Sequence, residues 1–337
     1  MVRVLVFILL SNTVVASAQE KTKNVEAQSV VKYVLSCRKS NGAFGPLDQE
    51  YTDAAWNYPA VKTLRLLDAK IDRPQAILQH GLGYPRGHIG YGHWLFFHPH
   101  GIRHLFETPP TARHMQVRLV HQGHEVRYYG SPFGTDADTF FKAGGAGIDP
   151  RDDSAEELGF YNLSSLFYTL AGLQASGRSA SNVDYLVRFV RERQAACGGF
   201  VDIRGKDAKP SNDAAHVAHT YQSIASLKML GADVPATDRC VHFLQSCQQP
   251  SGSFRWNTND SAPGNYSDAY YTWAAVAALR HLSRKPINVD ACVRWINSLQ
   301  NTEGGLAIVL AGDLVYTAHT TRSRRWRCCA MMTLLDH

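Results

Sequence analysis

An internal repeat constrains this chain more than any other feature, because units too small to bury their own apolar faces must stack on one another. Four segments carry it: VVKYVLSCRKSNGAFG from Val30, YLVRFVRERQAACGGF from Tyr185, CVHFLQSCQQPSGSF from Cys240 and VDACVRWINSLQNTEGGL from Val289. Each reads as an amphipathic helix, then Gln or Arg, a few polar residues, and Gly-x-aromatic or Gly-Gly-aliphatic. In the last, Val289, Cys292, Val293, Ile296 and Leu299 fall at helical spacing. The glycines that follow break the helix and admit positive φ. After each glycine turn comes a second helix, richer in Ala, Tyr and Trp. These helices end in Leu-x-x-Leu at Leu64/Leu67, Leu170/Leu173, Leu227/Leu230 and Leu279/Leu282.

The motif phenylalanines set the copy number. The interval from Phe200 to Phe254 is 54, and that from Phe44 to Phe200 is 156, or three times 52. Two diverged repeats are therefore expected between residues 70 and 180. One ends in Ile102-Arg103-His104-Leu105; the other is LGFYNLSSLFYTLAGL, preceded by Gly144, Gly145 and Gly147. Two helices per unit and no β-rich run of comparable strength predict an all-α, (α/α)6 toroid of about six hairpins, with essentially no sheet.

The N-terminus reads as an export signal over residues 1–18. Arg3 gives a positive start, Val4 to Leu10 an apolar run, and Ala16-Ser17-Ala18 a small-residue cleavage site. A membrane span needs about 20 apolar residues, and Ser11, Asn12 and Thr13 interrupt this one. The formal charge of +6 is scattered except for Arg322 to Arg327, which gives no footprint for nucleic acid. There are seven cysteines and no CxxC pair. Cys240 and Cys247, i,i+7 on one helix, lie about 10.5 Å apart, too far for a disulfide. Cys292 reads as a small buried hydrophobe.

These repeats resemble the prenyltransferase and squalene-oxidase repeat family. FLQSCQQPSGSF followed by YSDAYYTWAAVAAL is especially similar to the β subunits of protein prenyltransferases, the geranylgeranyltransferases above all. The resemblance covers about residues 28–306 and assigns 19–306 to the toroid. It implies a central cavity for a hydrophobic, isoprenoid-like ligand, with prenyl transfer or isoprenoid cyclisation as the analogous activity. Trp56, Tyr161, Tyr168, Tyr221, Tyr270, Tyr271 and Trp273 are the aromatic candidates to face it; packing between helix layers is the alternative role for each. A non-catalytic binding or scaffold toroid is the alternative reading, since fold does not fix chemistry. No partner α subunit is evident in the sequence.

The resemblance also implies zinc, held in protein prenyltransferases by an Asp-x-Cys at the start of one inner helix and a later His. Asp268 matches the Asp, Tyr270 stands where the family has Cys, and only His319 is available as the last ligand. The ligand set is incomplete, and a phenol is a poor substitute for a thiol. Asp53, Asp213 and Asp268 each precede Ala at the start of an inner segment and read as helix caps. Terpene cyclases of the DxDD type use paired carboxylates as an acid. The nearest echoes are Asp136 with Asp138, and Asp149 with Asp152 and Asp153. Asp152, Asp153 and Asp268 are thus the carboxylate candidates for catalysis.

Nine of the 15 histidines fall between His80 and His124. His100 and His104 are i,i+4, as metal ligands on a helix often are, with His98 close by. Together they mark a second candidate site, of the metal-dependent hydrolase or lyase kind, with ordinary surface or core histidines as the alternative reading. After Leu306 the repeat pattern fails: residues 307–337 read as an atypical tail in place of the last inner helix, leaving part of the face of Cys292, Ile296 and Leu299 uncovered. N-terminal sequencing of exported protein is expected to begin near Gln19; an intact Met1 would refute cleavage.

Overall fold

The structure, a computed structural model, describes residues 19–48, 50, 52, 54–83, 87–88, 101–107, 116–121, 124–129, 163–175, 177, 179–180, 183–202, 209–262, 265–301 and 303–305. In chain order its elements are α1 (Gln19–Ser36), α2 (Ala54–Leu66), α3 (Pro74–Gly83), β1 (Gly87–His88), β2 (Gln116–His121), β3 (His124–Tyr129), α4 (Leu163–Ala175), α5 (Val183–Arg191), α6 (Val217–Met229), α7 (Thr237–Ser246), α8 (Ala269–His281) and α9 (Val289–Ser298). They fall into two compact units, one from residues 1–73 with 244–337, the other from 74–243.

The glycine turns are one device built four times. After α1, α5 and α7 an isolated bridge pairs Arg38 with Phe44, Gln194 with Phe200, and Gln248 with Phe254. In each turn the residue after the bridging Arg or Gln donates its N–H to a carbonyl further along the turn, at 2.8 Å: Lys39 to Ala43 O, Ala195 to Gly199 O, Gln249 to Ser253 O and, after α9, Asn301 to Gly305 O. Gly42, Gly198, Gly252 and Gly304 take φ between 85° and 95°, where only glycine sits without strain. The phenylalanine ending each of the first three turns is fully buried, so its N–H needs a partner inside the protein. The next inner helix supplies one: Asn57 Oδ1 accepts from Phe44 N at 2.8 Å, Thr220 Oγ1 from Phe200 N at 2.9 Å and Thr272 Oγ1 from Phe254 N at 3.0 Å.

These turns also join one repeat to the next. A Cβ on Gly198 would lie 2.3 Å from Arg239 C at the backbone of α7, one on Gly252 2.1 Å from Ala291 C in α9, and one on Gly304 2.3 Å from Ser29 O in α1. The last turn therefore packs on the first helix as the preceding turns pack on theirs. A polar clamp accompanies the contact. Gln194 Nε2 donates to Gly198 O at 3.0 Å and across the seam to Pro235 O at 2.9 Å, just ahead of α7. Gln248 Nε2 does the same with Gly252 O and Asn288 O, while its Oε1 accepts from Asn288 N. Arg38 substitutes in the first repeat, with Nε on Gly42 O and Nη2 on Arg73 O ahead of α3. Gln300 Nε2 donates to Ser29 Oγ at 3.2 Å.

The inner helices stop where Leu-x-x-Leu predicts. Ala69 N donates to Leu64 O, Ala232 N to Leu227 O and Arg284 N to Leu279 O, the six-to-one closure of a Schellman end. The left-handed residue is Asp68, Gly231 and Ser283 in turn. Leu64, Leu170, Leu173, Leu227, Leu279 and Leu282 are all buried.

One stretch departs from the expectation of no sheet. Within residues 83–129 the described elements are a three-stranded sheet, β1 parallel to β2 and β2 antiparallel to β3 in register from Gln116↔Tyr129 to His121↔His124, and a short helical turn at 101–105. The turn carries Ile102, Arg103, His104 and Leu105, read from sequence as the end of a hairpin. Alternation of polar with apolar or aromatic residues holds over Gln116–Leu119 and Glu125–Tyr128, on either side of Gln122-Gly123, a short hairpin pattern that the longer period of the repeat masks. The other diverged repeat holds, with α4 as its inner helix. On α9, Cys292, Ile296 and Leu299 are buried, which corrects the expected uncovered strip; residues 307–337 lie outside the described residues.

Two substitutions separate the two uses of left-handed backbone. Gly252→Ala meets both a positive φ and the α9 backbone and is expected to cost about 3 kcal/mol. Ser283→Gly relieves a left-handed serine at a helix end and is expected to gain about 0.5–1 kcal/mol. Urea unfolding of both variants checks the pair; a neutral Gly252→Ala would contradict the close approach.

Candidate functional site

The chemistry-bearing residues gather in the first turns of the inner helices, and those of α6 and α8 match position for position, one repeat apart. His216 caps α6 and Asp268 caps α8. The orphan N–H groups of a helix start need such acceptors. His216 Nδ1 accepts from Ala218 N at 3.0 Å, and Asp268 Oδ1 from Tyr271 N at 2.7 Å. Next come His219 and Tyr271, then Thr220 and Thr272, whose hydroxyls donate to the carbonyl of the cap residue at 2.9 and 2.8 Å. The same two hydroxyls accept from Phe200 and Phe254, so each cap is laced to a glycine turn. Tyr221 and Trp273 follow, both buried.

The aromatic candidates divide by burial. Tyr221 and Trp273 are inside the helix layers, 1% and 2% exposed, whereas Trp56, Tyr168, Tyr270 and Tyr271 keep part of their surface accessible. In residues 74–243, α4 and α6 pair through an edge-on contact of Phe167 with Tyr221 at 5.5 Å, and Phe167 meets Tyr168 edge-on at 5.2 Å. Ser164 Oγ donates to Gln222 Oε1 at 2.8 Å, and Asp202 Oδ1 accepts from Leu163 N at the start of α4. In the other unit Tyr270 stacks on Trp273 at 5.9 Å and 20°, with Tyr271 tilted beside it at 5.6 Å. Tyr161 lies outside the described residues.

The acidic candidates resolve differently. Asp268 is the expected cap, 7% exposed. Asp213 is not: it sits exposed in the turn before α6, and the cap falls later, at His216, because α6 begins at Val217. Asp53, Asp136, Asp138, Asp149, Asp152 and Asp153 lie outside the described residues, as do His98, His100 and His319. His104 is exposed on the turn at 101–105. The zinc of the protein prenyltransferases does not fit the residues present. One oxygen of Asp268 is taken by the cap, Tyr270 is a stacked phenol where a thiolate would be needed, and no group of three His, Cys, Asp or Glu able to hold a metal occurs among the described residues.

His216 and His219 are further functional residues of this region, and their signal in the sequence is their position one repeat before Asp268 and Tyr271. Their rings face each other with centroids 4.8 Å apart. Burial, with the charge of His219 beside it, pushes His216 down to about 3. The neutral imidazole is the form that can accept a hydrogen bond, so the shift and the cap describe one state. Below about 6.5 the unfolded chain binds a proton that folded His216 refuses until about pH 3. Its contribution is therefore complete above the unfolded value and is lost as pH falls through that window. His216→Asn keeps a capping acceptor without titrating, and the stability difference between variant and parent is expected to shift in favour of the variant from pH 7 to pH 4. A pH-independent difference in thermal unfolding would overturn the assignment.

Among known proteins, no curated relative matches the chain. The family model of the prenyltransferase alpha-alpha toroid domain matches residues 2–82 and 148–319, roughly three quarters of the sequence. The match passes over 83–147, where the three-stranded sheet and all of the histidine cluster but His80 lie. It includes every glycine turn and every inner helix described above. The chain belongs to the prenyltransferase alpha-alpha toroid domain family.

Proposed function

We propose that the protein binds a hydrophobic, isoprenoid-like chain on the aromatic first turn of α8, outside the cytoplasm. The observation that carries this reading is Tyr270, half-buried and stacked on Trp273 at 5.9 Å in a helix otherwise buried from Thr272 to Leu279. An apolar surface with a few fixed polar groups is what a lipid-like ligand requires, and aromatic faces attract alkyl chains and any cationic carbon. Tyr271 extends the patch, and Asp268 beneath it is committed to holding the helix start. That commitment favours binding over acid catalysis at Asp268, and the ligand set gives no zinc-thiolate route. The apolar leader and its small-residue site support placing this activity in the exported protein.

Titration of the full chain with a fluorescent geranylgeranyl lipid, followed by quenching, tests the reading. Saturable binding is expected, weakened about fivefold by Tyr270→Ala, consistent with about 1 kcal/mol for a lost aromatic contact. Tyr266→Ala, an exposed residue ahead of the helix, is expected to leave it unchanged. Absence of saturable binding by the parent protein would end the proposal, and diphosphate release from geranylgeranyl diphosphate would replace it with transfer.

A further inference from the structure

The seam between the turn after α5 and helix α7 carries a cysteine on each side, at backbone positions that lie close together. Arg239 Nη1 donates to Ala196 O at 3.3 Å, and a Cβ on Gly198 would lie 2.4 Å from Cys240 N. Cys197 sits between these two points of contact, its N–H held by Asn212 Oδ1 at 2.8 Å. Cys240 is fully buried and Cys197 half-buried, and both are free thiols in this structure. Burial, with the charge of Cys197 added to it, pushes the Cys240 thiol up to about 12. The equivalent seams differ. Ser251 precedes Gly252 opposite Cys292, and Glu303 precedes Gly304 opposite Val30, so among the described seams this one alone carries cysteine on both sides.

We propose that Cys197 and Cys240 form a disulfide that locks the turn after α5 onto α7, making this seam a redox-sensitive joint of the repeat array. The proposal rests on the seam geometry and is independent of the ligand reading. The oxidant is a disulfide, acting by exchange. The half-exposed Cys197 thiolate attacks one sulfur of it, breaking that S–S bond and releasing one thiol. Cys240 then gives its proton to solvent and attacks Cys197 Sγ, releasing the second thiol. Two protein thiols and one external disulfide become one internal disulfide and two external thiols. Because burial holds Cys240 protonated at neutral pH, the second step is the slow one and quickens as pH rises. The oxidising surroundings of exported proteins are where such bonds persist.

The test uses the full chain incubated with oxidised glutathione from pH 7 to 9, then alkylated in denaturant and mapped by mass spectrometry. The expected product carries a peptide pair linking Cys197 to Cys240, which forms faster at higher pH and leaves neither cysteine alkylated. Its melting temperature should lie roughly 5 °C above that of the reduced chain, since the bond restricts the unfolded state. Cys197→Ser should lose both link and gain. Ser251→Cys, which places a thiol opposite Cys292, should acquire a second link. Glutathione retained on Cys197 with Cys240 still alkylated at every pH, or a link to another cysteine, would overturn the proposal, as would failure of Ser251→Cys to cross-link.

Discussion

Contact between a glycine turn and the backbone of the next outer helix is the constraint on which the rest of this protein depends. At Gly198, Gly252 and Gly304 the neighbouring chain lies closer than any Cβ could tolerate, and φ is left-handed as well. Backbone packed that tightly must satisfy its polar groups locally. The Gln side chains at 194 and 248 do this, each donating once within its turn and once across the seam. Position, hydrogen bonding and glycine are therefore one requirement. The same contact from Gly304 to Ser29 returns the last repeat to the first.

That contact also positions the candidate site. The turn delivers a buried phenylalanine whose N–H is taken by Thr220 or Thr272, and those threonines sit in the first turn of the inner helix beside its cap. The cap, the histidine or tyrosine one turn on and the buried aromatic behind it are consequently held at fixed offsets from the seam. Substituting the cap from histidine to aspartate between α6 and α8 changes the chemical group at the helix start while leaving the backbone arrangement alone. This is how one repeat can carry different chemistries, and why the family fold leaves the reaction open.

Three details of the structure were not legible in the sequence, each for its own reason. β2 and β3 were hidden because a search at the period of the repeat gives no weight to a period of two within it. His216 was missed as a cap, and Asp213 taken for one, because a slightly displaced start leaves the same residue types nearby, and only the first helical N–H groups decide which acceptor is used. The strip on α9 was expected to be open because a missing helix was weighed without the packing that buries Cys292, Ile296 and Leu299.

The sequence by itself determined the repeating helical pair, the glycine turns and the Leu-x-x-Leu ends, since these follow from local periodicity and backbone geometry within a single repeat, and its motifs carried the family resemblance that the family match bears out. Asp268 as a cap and the substitution of Tyr270 for a thiolate were equally legible. Which aromatics are buried and which accessible was decided only in three dimensions, because Tyr221 differs from Tyr168 and Tyr270, and Trp273 from Trp56, in what packs against them and not in residue type. The contact of His216 with His219 and the nearness of the Cys197 and Cys240 backbones likewise belong to the tertiary structure. The histidine pair depends on where α6 starts; the cysteine pair depends on a glycine turn meeting the backbone of a helix well beyond it in the chain, a proximity that no local pattern encodes.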